Sequence, residues 1–296
     1  MKHLSFPSCQ IGDFLVTALS DGAMPASLDL LSGIDIAEAE AIQQSAGLAE
    51  PGHIHINCYL IRGKGRTLLV DAGTGGRNNV GGQLRANLAA LKICPDDIDA
   101  VLLTHCHPDH IGGLLDAEGN PVYKNAELHL HPLEADYWRD DEKQRGANER
   151  GKLNFRLARQ TLEAYASNLH FFTGGEITKG ILPVWLPGHT PGHTGFRIDA
   201  DDKGLLIWGD IVHYPQIQSA QPNVSILFDV DPMQAAETRK NVLQQSAREK
   251  LLIAGMHLDQ TGFATLDMVD DCYPISYALA SMDTHAVPTA SPQSEP

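Results

Sequence analysis

At 296 residues the chain can bury a large core in one domain or in two small ones, and 22 Lys+Arg against 37 Asp+Glu give it a formal net charge of −15. That balance argues against nucleic acid or an anionic membrane as a partner, because both need a basic face. No run of about eighteen apolar residues is present to span a bilayer. The five cysteines, Cys9, Cys58, Cys94, Cys106 and Cys272, form no C-x-x-C pair, and residues 1–7 carry no apolar signal segment. Reduced thiols in a cytoplasmic protein are therefore the expectation.

Residues 13–20 alternate apolar and polar side chains up to Asp21-Gly22 and predict a strand entering a turn. Residues 25–52 break the pattern. Within them 26–31 is apolar and 36–45 has helical character, an insert suited to a lid over a binding mouth, to the arm of a homodimer, or to a plain surface helix. Residues 54–61 and 67–70 predict a hairpin joined at Gly63-Lys64-Gly65. The Gly-rich stretch Asp71-Ala72-Gly73-Thr74-Gly75-Gly76 follows; with no Lys-Ser/Thr pair after it, it is not a P-loop. Residues 82–93 place Leu84, Leu88 and Leu91 on one helical face.

The apolar run 100–103 then predicts a buried strand, and it ends in Thr104-His105-Cys106-His107-Pro108-Asp109-His110. Three imidazoles and a carboxylate thus stand at the carboxyl end of a strand, where open α/β sheets place their ligands. His105 and His107 are two apart, so both can point the same way off an extended segment. Pro108 ends the strand, and Asp109 and His110 follow around the turn. Neutral imidazole and carboxylate suit zinc, iron, nickel or manganese. Cys106, between two of these positions, faces the other side and is read as packing.

Residues 127–131 alternate as a strand. Its His129 and His131 are read as packed strand-end histidines, since no carboxylate cluster accompanies them. A helix is predicted over 132–139, a solvated charged loop over 140–151, and a helix over 152–165 with Leu153, Leu157 and Leu162 inward. A short strand, 181–187, ends in Gly188-His189-Thr190-Pro191-Gly192-His193, where Gly and Pro hold a tight turn that aims an imidazole inward. Strands at 196–198 and 205–208 lead to Gly209-Asp210. Residues 231–249 form a helix with Asp231 as N-cap and Pro232 at its first position, and the strand 251–254 leads to Gly255-Met256-His257. Residues 282–296, rich in Pro, Ser and Thr, are expected to be disordered.

His105, His107, Asp109 and His110 spell His-x-His-x-Asp-His, and on that signature the chain resembles the metallo-β-lactamase superfamily over residues 12–266. The resemblance implies an α/β fold, a four-layer αββα sandwich of two mixed sheets with helices outside, here as one domain over residues 1–281. It implies two divalent metal ions, zinc first, with manganese, iron or cobalt as alternatives. His105, His107 and His193 would hold one ion, Asp109, His110 and His257 the other, and Asp210 would bridge them. The second histidine of the Gly-His-Thr-Pro-Gly-His run is taken as the ligand, which leaves His189 as a turn residue. Asp71 is expected to orient ligands rather than bind metal. A hydroxide bridging two cations is a nucleophile near neutral pH. Asp109 would orient it and hand a proton to the leaving group. No Gly-x-Ser-x-Gly elbow appears.

Asp210, where β-lactamases carry Cys, points to other branches. Gly12-Asp13-Phe14, Thr17-Ala18-Leu19-Ser20-Asp21-Gly22, Glu134-Ala135-Asp136-Tyr137-Trp138 and Asp229-Val230-Asp231-Pro232 resemble the branch of quorum-quenching N-acyl-homoserine lactonases and methyl-parathion hydrolase. That likeness implies a small lactone or ester as substrate, with organophosphate triesterase activity beside it. Trp138 stands where the organophosphate hydrolases carry a pocket tryptophan and is a candidate substrate wall. Three residues after the bridging Asp the lactonases use a Tyr to hold the carbonyl oxygen. Here that position is His213 and Tyr214 comes next; either could donate the hydrogen bond. The alternatives are a glyoxalase II-like thiolester hydrolase, disfavoured by a C-terminus short of Lys and Arg, and an iron-dependent oxidoreductase of the same fold.

Overall fold

Leu68-Leu69-Val70, Ala100-Val101-Leu102 and Leu205-Leu206-Ile207 are apolar on both faces, and the three-dimensional arrangement explains why. The structure, a computed structural model, describes residues 6–48, 51–172, 174–200, 203–259, 261–270 and 272–277. Alternate side chains of these strands enter different cores. Leu68, Val70, Ala100 and Leu102 meet Leu205, Ile207, Phe196 and Ile198 between two sheets. Leu69 and Val101 point the other way, onto Leu84 and Leu88 of the helix Leu84–Ala90 and Phe155 and Leu162 of the helix Glu149–Ala164. Leu206 and Trp208 face Val242 and Leu243 of the helix Pro232–Glu249. Each fully buried aliphatic side chain contributes about 1.5–3 kcal/mol. A one-residue slip would exchange the two faces, so burial on both sides fixes register. The result is the four-layer αββα sandwich.

The first sheet runs Ser8–Ile11, Phe14–Pro25, His53–Gly63, Arg66–Val70, Ala100–Leu102, Glu127–Leu130 and Leu169–Phe171 in spatial order. Its last four strands are parallel to one another. The second sheet runs Ile275–Tyr277, Phe263–Leu266, Leu252–Ala254, Lys203–Ile207, Thr194–Ala200 and Leu182–Trp185, with Lys203–Ile207 parallel to Leu252–Ala254. Parallel neighbours put their carboxyl ends at one edge, which collects Asp71, Thr104, Asp210 and His257 from four strands. No helix among the described residues is long and apolar enough to cross a membrane.

Three local expectations change. The strand Phe14–Pro25 continues through Asp21-Gly22 by a bulge between Ser20 and Gly22 instead of turning there. The bulge turns Asp21 inward, where its carboxylate accepts hydrogen bonds from Thr74 N and Oγ1, Gly82 N and Leu84 N and pins the Gly-rich loop. Residues 140–151 are not wholly loop. Asp140 caps a short exposed helix, Asp141–Gly146, and Asn148 caps the next, so that helix starts at Glu149. In the helix Glu149–Ala164, Leu153 faces solvent instead of the core, 58 % exposed. The described residues of the insert 25–52 pack against their own chain. Leu31–Ser32 pairs with Ser225–Ile226, and Leu28 and Ala39 are buried with Tyr214, Ile217 and Val224. Residues 282–296 lie outside the described residues.

Candidate metal centre

The strand Ala100–Leu102 delivers the histidine loop, and a buried carboxylate from the neighbouring strand end shapes it. Asp71 leaves its strand in the left-handed region, φ 57°, a conformation Asp tolerates better than most residues. Its carboxylate accepts from Thr104 N (2.8 Å), Thr104 Oγ1 (2.7 Å) and His110 Nδ1 (2.7 Å). Thr104 Oγ1 in turn lies 3.0 Å from His105 Nδ1. These contacts aim the Nε2 atoms of His105 and His110 inward, the role expected of Asp71.

The inward atoms form two groups around one oxygen, and His189, Asp210 and His213 make a third that overlaps both. His105 Nε2 and His189 Nε2 lie 2.9 and 3.0 Å from His107 Nδ1. Asp109, His110, Asp210 and His257 make the second group. Asp210 Oδ2 stands between them, 3.3 Å from His110 Nε2, 3.2 Å from His257 Nε2, 3.4 Å from His189 Nε2 and 3.7 Å from His105 Nε2. His257 Nδ1 donates to His55 O (2.7 Å), and His189 Nδ1 donates to Asp229 Oδ1 (2.9 Å). Asp229 is itself held by Ile226 N and by Arg239, which lies 3.5 Å away.

His193 is the correction. Its Nδ1 donates to Leu186 O (2.9 Å) and its Nε2 accepts the Asp210 N–H (2.9 Å). With both ring nitrogens committed to backbone, it has no lone pair for an ion. His189, set aside as a turn residue, is the imidazole of this turn that joins the cluster. His193 instead fixes the strand end that carries Asp210. Gly209, at φ 62°, is needed there because a Cβ would collide with His193 Nε2.

Two further expectations fail on geometry. Trp138 is 3 % exposed. Its Nε1 donates to Glu134 Oε1 (2.7 Å) and its ring meets His107 edge-on at 5.6 Å, so it packs behind a metal-loop imidazole and is no substrate wall. Tyr214 is buried and its hydroxyl donates to Ala26 O (2.6 Å), away from the centre. His213 does stand inside: its Nε2 is 3.2 Å from Asp210 Oδ2 and its ring stacks on His257 at 5.0 Å. Glu134 was missed. Fully buried, it accepts from Cys106 N, Trp138 Nε1, Thr190 Oγ1 and Gly192 N, and so ties the two histidine turns together. The available signal was the i, i+4 pair Glu134–Trp138. Cys106 is buried in the outer core, as expected, and His129 stacks on His170 and pairs with Glu127.

Burial drives the His105 and His107 imidazoles well below their usual range, neutral as ligation requires. Burial also lowers His213, to about 4. On His110 and His257 burial opposes charge, but the surrounding carboxylates, Asp210 foremost, outweigh it and raise both. Burial alone would raise Asp210; His110, His257, His105 and His213 instead hold it well below the carboxylate range. The buried His110 Nε2 and Asp210 Oδ1 have no hydrogen-bond partner. The neutral imidazoles of His105 and His107, the ionised Asp210 whose charge His110 and His257 offset, and the orphaned polar atoms together fit divalent cations.

Above the centre opens a cleft with a cavity volume of about 210 Å³, floored by His107, Asp109, Asp210 and His213. Met24, Pro25, Val80 and Phe228 give it apolar walls, and Arg77, Asn78, Arg150 and Asn154 give it polar ones.

Residues 51–257 match the family profile of the Metallo-beta-lactamase superfamily. Among curated proteins the chain is 26% identical over 160 residues to YobT of Bacillus subtilis, covering 54% of this chain and 63% of that protein. It is 37% identical over 67 residues to a probable metallo-hydrolase of Methanocaldococcus jannaschii, covering 23% and 29%. The chain thus spans less than two thirds of the length of either. Among solved structures, the hydrolase AbOPH in the beta lactamase superfamily superposes with a TM-score of 0.87 at 25% identity, covering 94% of this chain and 99% of that one. AidC, a dizinc quorum-quenching lactonase in complex with a product, superposes with a TM-score of 0.86 at 25% identity and the same coverage.

Proposed function

The chain belongs to the metallo-β-lactamase superfamily, and from that premise we propose that it is a dinuclear-metal hydrolase that opens a lactone or cleaves a related ester. The observation that carries the reading is the convergence of His105, His110, His189 and His257 on Asp210 Oδ2. His105, His107 and His189 would hold one cation and Asp109, His110 and His257 the other, with Asp210 between. Two cations held there would supply a hydroxide nucleophile near neutral pH and would polarise the carbonyl or phosphoryl oxygen under attack.

The protein's own groups do the rest. Asp109 Oδ2 lies 3.4 Å from His110 Nε2 and 3.7 Å from His257 Nε2, and its carboxylate lines the cleft floor. Burial disfavours its charge, yet His110 and His257 keep it ionised. It can orient the attacking oxygen, take its proton, and return that proton to the leaving alkoxide. His213, on the same floor, carries one N–H in its neutral form, and its Nε2 lies 3.2 Å from Asp210 Oδ2; with Asp210 drawn to the cations, that N–H would be free to donate to the substrate oxygen that becomes negative. Tyr214 has no such access. Met24, Pro25, Val80 and Phe228 give the body of the substrate an apolar wall.

AidC is described as a lactonase, which favours a lactone first. The test is metal analysis and a substrate panel on one sample: acyl-homoserine lactones, aryl esters, a phosphotriester and S-lactoylglutathione. The expected result is about two metal equivalents per chain, with lactone or ester turnover lost on chelation and restored by zinc. Full activity after exhaustive metal removal overturns the reading. Turnover of S-lactoylglutathione alone makes the protein a thiolester hydrolase, and bound iron with oxygen consumption makes it an oxidoreductase.

A further inference from the structure

The cleft departs in charge from the molecule around it. The chain carries −15, a field that turns anions away from an average patch of surface. Of the charged side chains lining the cleft, Asp109 and Asp210 belong to the histidine cluster; the others are two guanidiniums, Arg77 and Arg150. Arg66, Arg159, Arg197 and Arg239 each spend their charge on a carboxylate. Among the described residues neither cleft arginine makes an ion pair.

Both are held without using up their donors. Arg77 Nε donates to Gly112 O at 3.2 Å, which leaves both terminal nitrogens open. The Arg150 guanidinium carbon sits 5.1 Å from the centre of the Phe228 ring, and that ring lies 6.4 Å from the His213 ring. A guanidinium on an aromatic face keeps its N–H fork free for a carboxylate or phosphate. The ladder His213–Phe228–Arg150 therefore runs from the reacting floor along an apolar wall to a fixed cation.

We infer that the substrate carries an anionic group, carboxylate or phosphate, at the end remote from its scissile bond, joined by a short apolar body, and that Arg150 with Arg77 binds that group. The inference rests on the hydrolase reading and narrows its substrate class. A neutral acyl chain would use Phe228 and leave both arginines idle.

The experiment compares two probes on the metal-loaded protein by calorimetry. Butyrate offers one carboxylate, which the metals can take; glutarate offers a second, which only the cleft can take. Glutarate is expected to bind about tenfold tighter than butyrate, with the ratio falling towards one in Arg150→Met and in the Arg77→Met, Arg150→Met pair. The ratio of kcat/KM for an aryl hydrogen glutarate over its neutral methyl ester should fall in parallel. A glutarate preference that survives in the double variant, or no preference in the unaltered protein, overturns the inference. Esters hydrolysed without regard to charge would sink the anion site and leave the hydrolase reading standing. Selective glutarate binding without turnover of either ester would do the reverse.

Discussion

Two turns supply histidines to this centre, and they obey different rules. In the loop His105-Cys106-His107-Pro108-Asp109-His110 all three histidines and Asp109 reach the cluster, while Cys106 faces the outer core. In Gly188-His189-Thr190-Pro191-Gly192-His193 one imidazole reaches it and the other is spent on backbone. The first loop follows a strand, so alternation decides which way its side chains point. The second is a compact turn whose two histidines stand four positions apart, and both are buried. There the deciding factor is which ring finds an orphaned backbone donor and acceptor. A buried N–H or C=O left unmade costs about 1–3 kcal/mol, so Leu186 O and the Asp210 N–H compete with a metal for an imidazole, and His193 goes to them.

Exchanging the two histidines' fates is the strongest way to break that contrast. His189→Ala is expected to lose about one metal equivalent and to lower kcat/KM by more than about a hundredfold, above the 10–100-fold that supporting residues give. The measurement is metal content beside turnover. His193→Ala is expected to keep the metal count and to lose stability instead, about 2–5 kcal/mol in denaturant unfolding, because two buried backbone groups lose their partner and a cavity is left. If His193→Ala sheds an ion while His189→Ala retains both, the assignment of the two imidazoles is reversed.

The same division marks what could be read before the fold was known. The strand ends and the first loop were legible because period and apolar runs encode which face is buried, whereas the four-layer order came only with the resemblance that the His-x-His-x-Asp-His signature carries. Asp71 was legible as a support through the same resemblance, which places an Asp-x-Gly there. Features that depend on distant backbone were not. His193 finds partners seven and seventeen residues away, and Tyr214 bonds a carbonyl 188 residues away. Asp21 became a staple only because a bulge turned it inward, a shift of register that local alternation does not announce. Trp138 lies between the two cases: its partner Glu134 is one helical turn away, so the pair was visible, but Glu134's links to Cys106, Thr190 and Gly192 were not.

Tyr214 gives the smallest and sharpest version of the comparison, because it stands next to His213 and was an equal candidate for the substrate oxygen. Its hydroxyl donates to Ala26 O and ties the insert to the 213–228 segment, whereas His213 lines the cleft. Tyr214→Phe removes one hydrogen bond and leaves the ring packed with Leu28, Ile217 and Val224. The expected loss is about 1 kcal/mol of stability, with kcat and KM each within about twofold of the unaltered protein. Removing an oxyanion donor from a hydrolytic site instead costs about 10²–10³ in kcat. A fall of that size in Tyr214→Phe, read against a melting curve that has barely moved, would mean the phenol reaches the substrate during turnover and that the turn after Asp210 opens to let it.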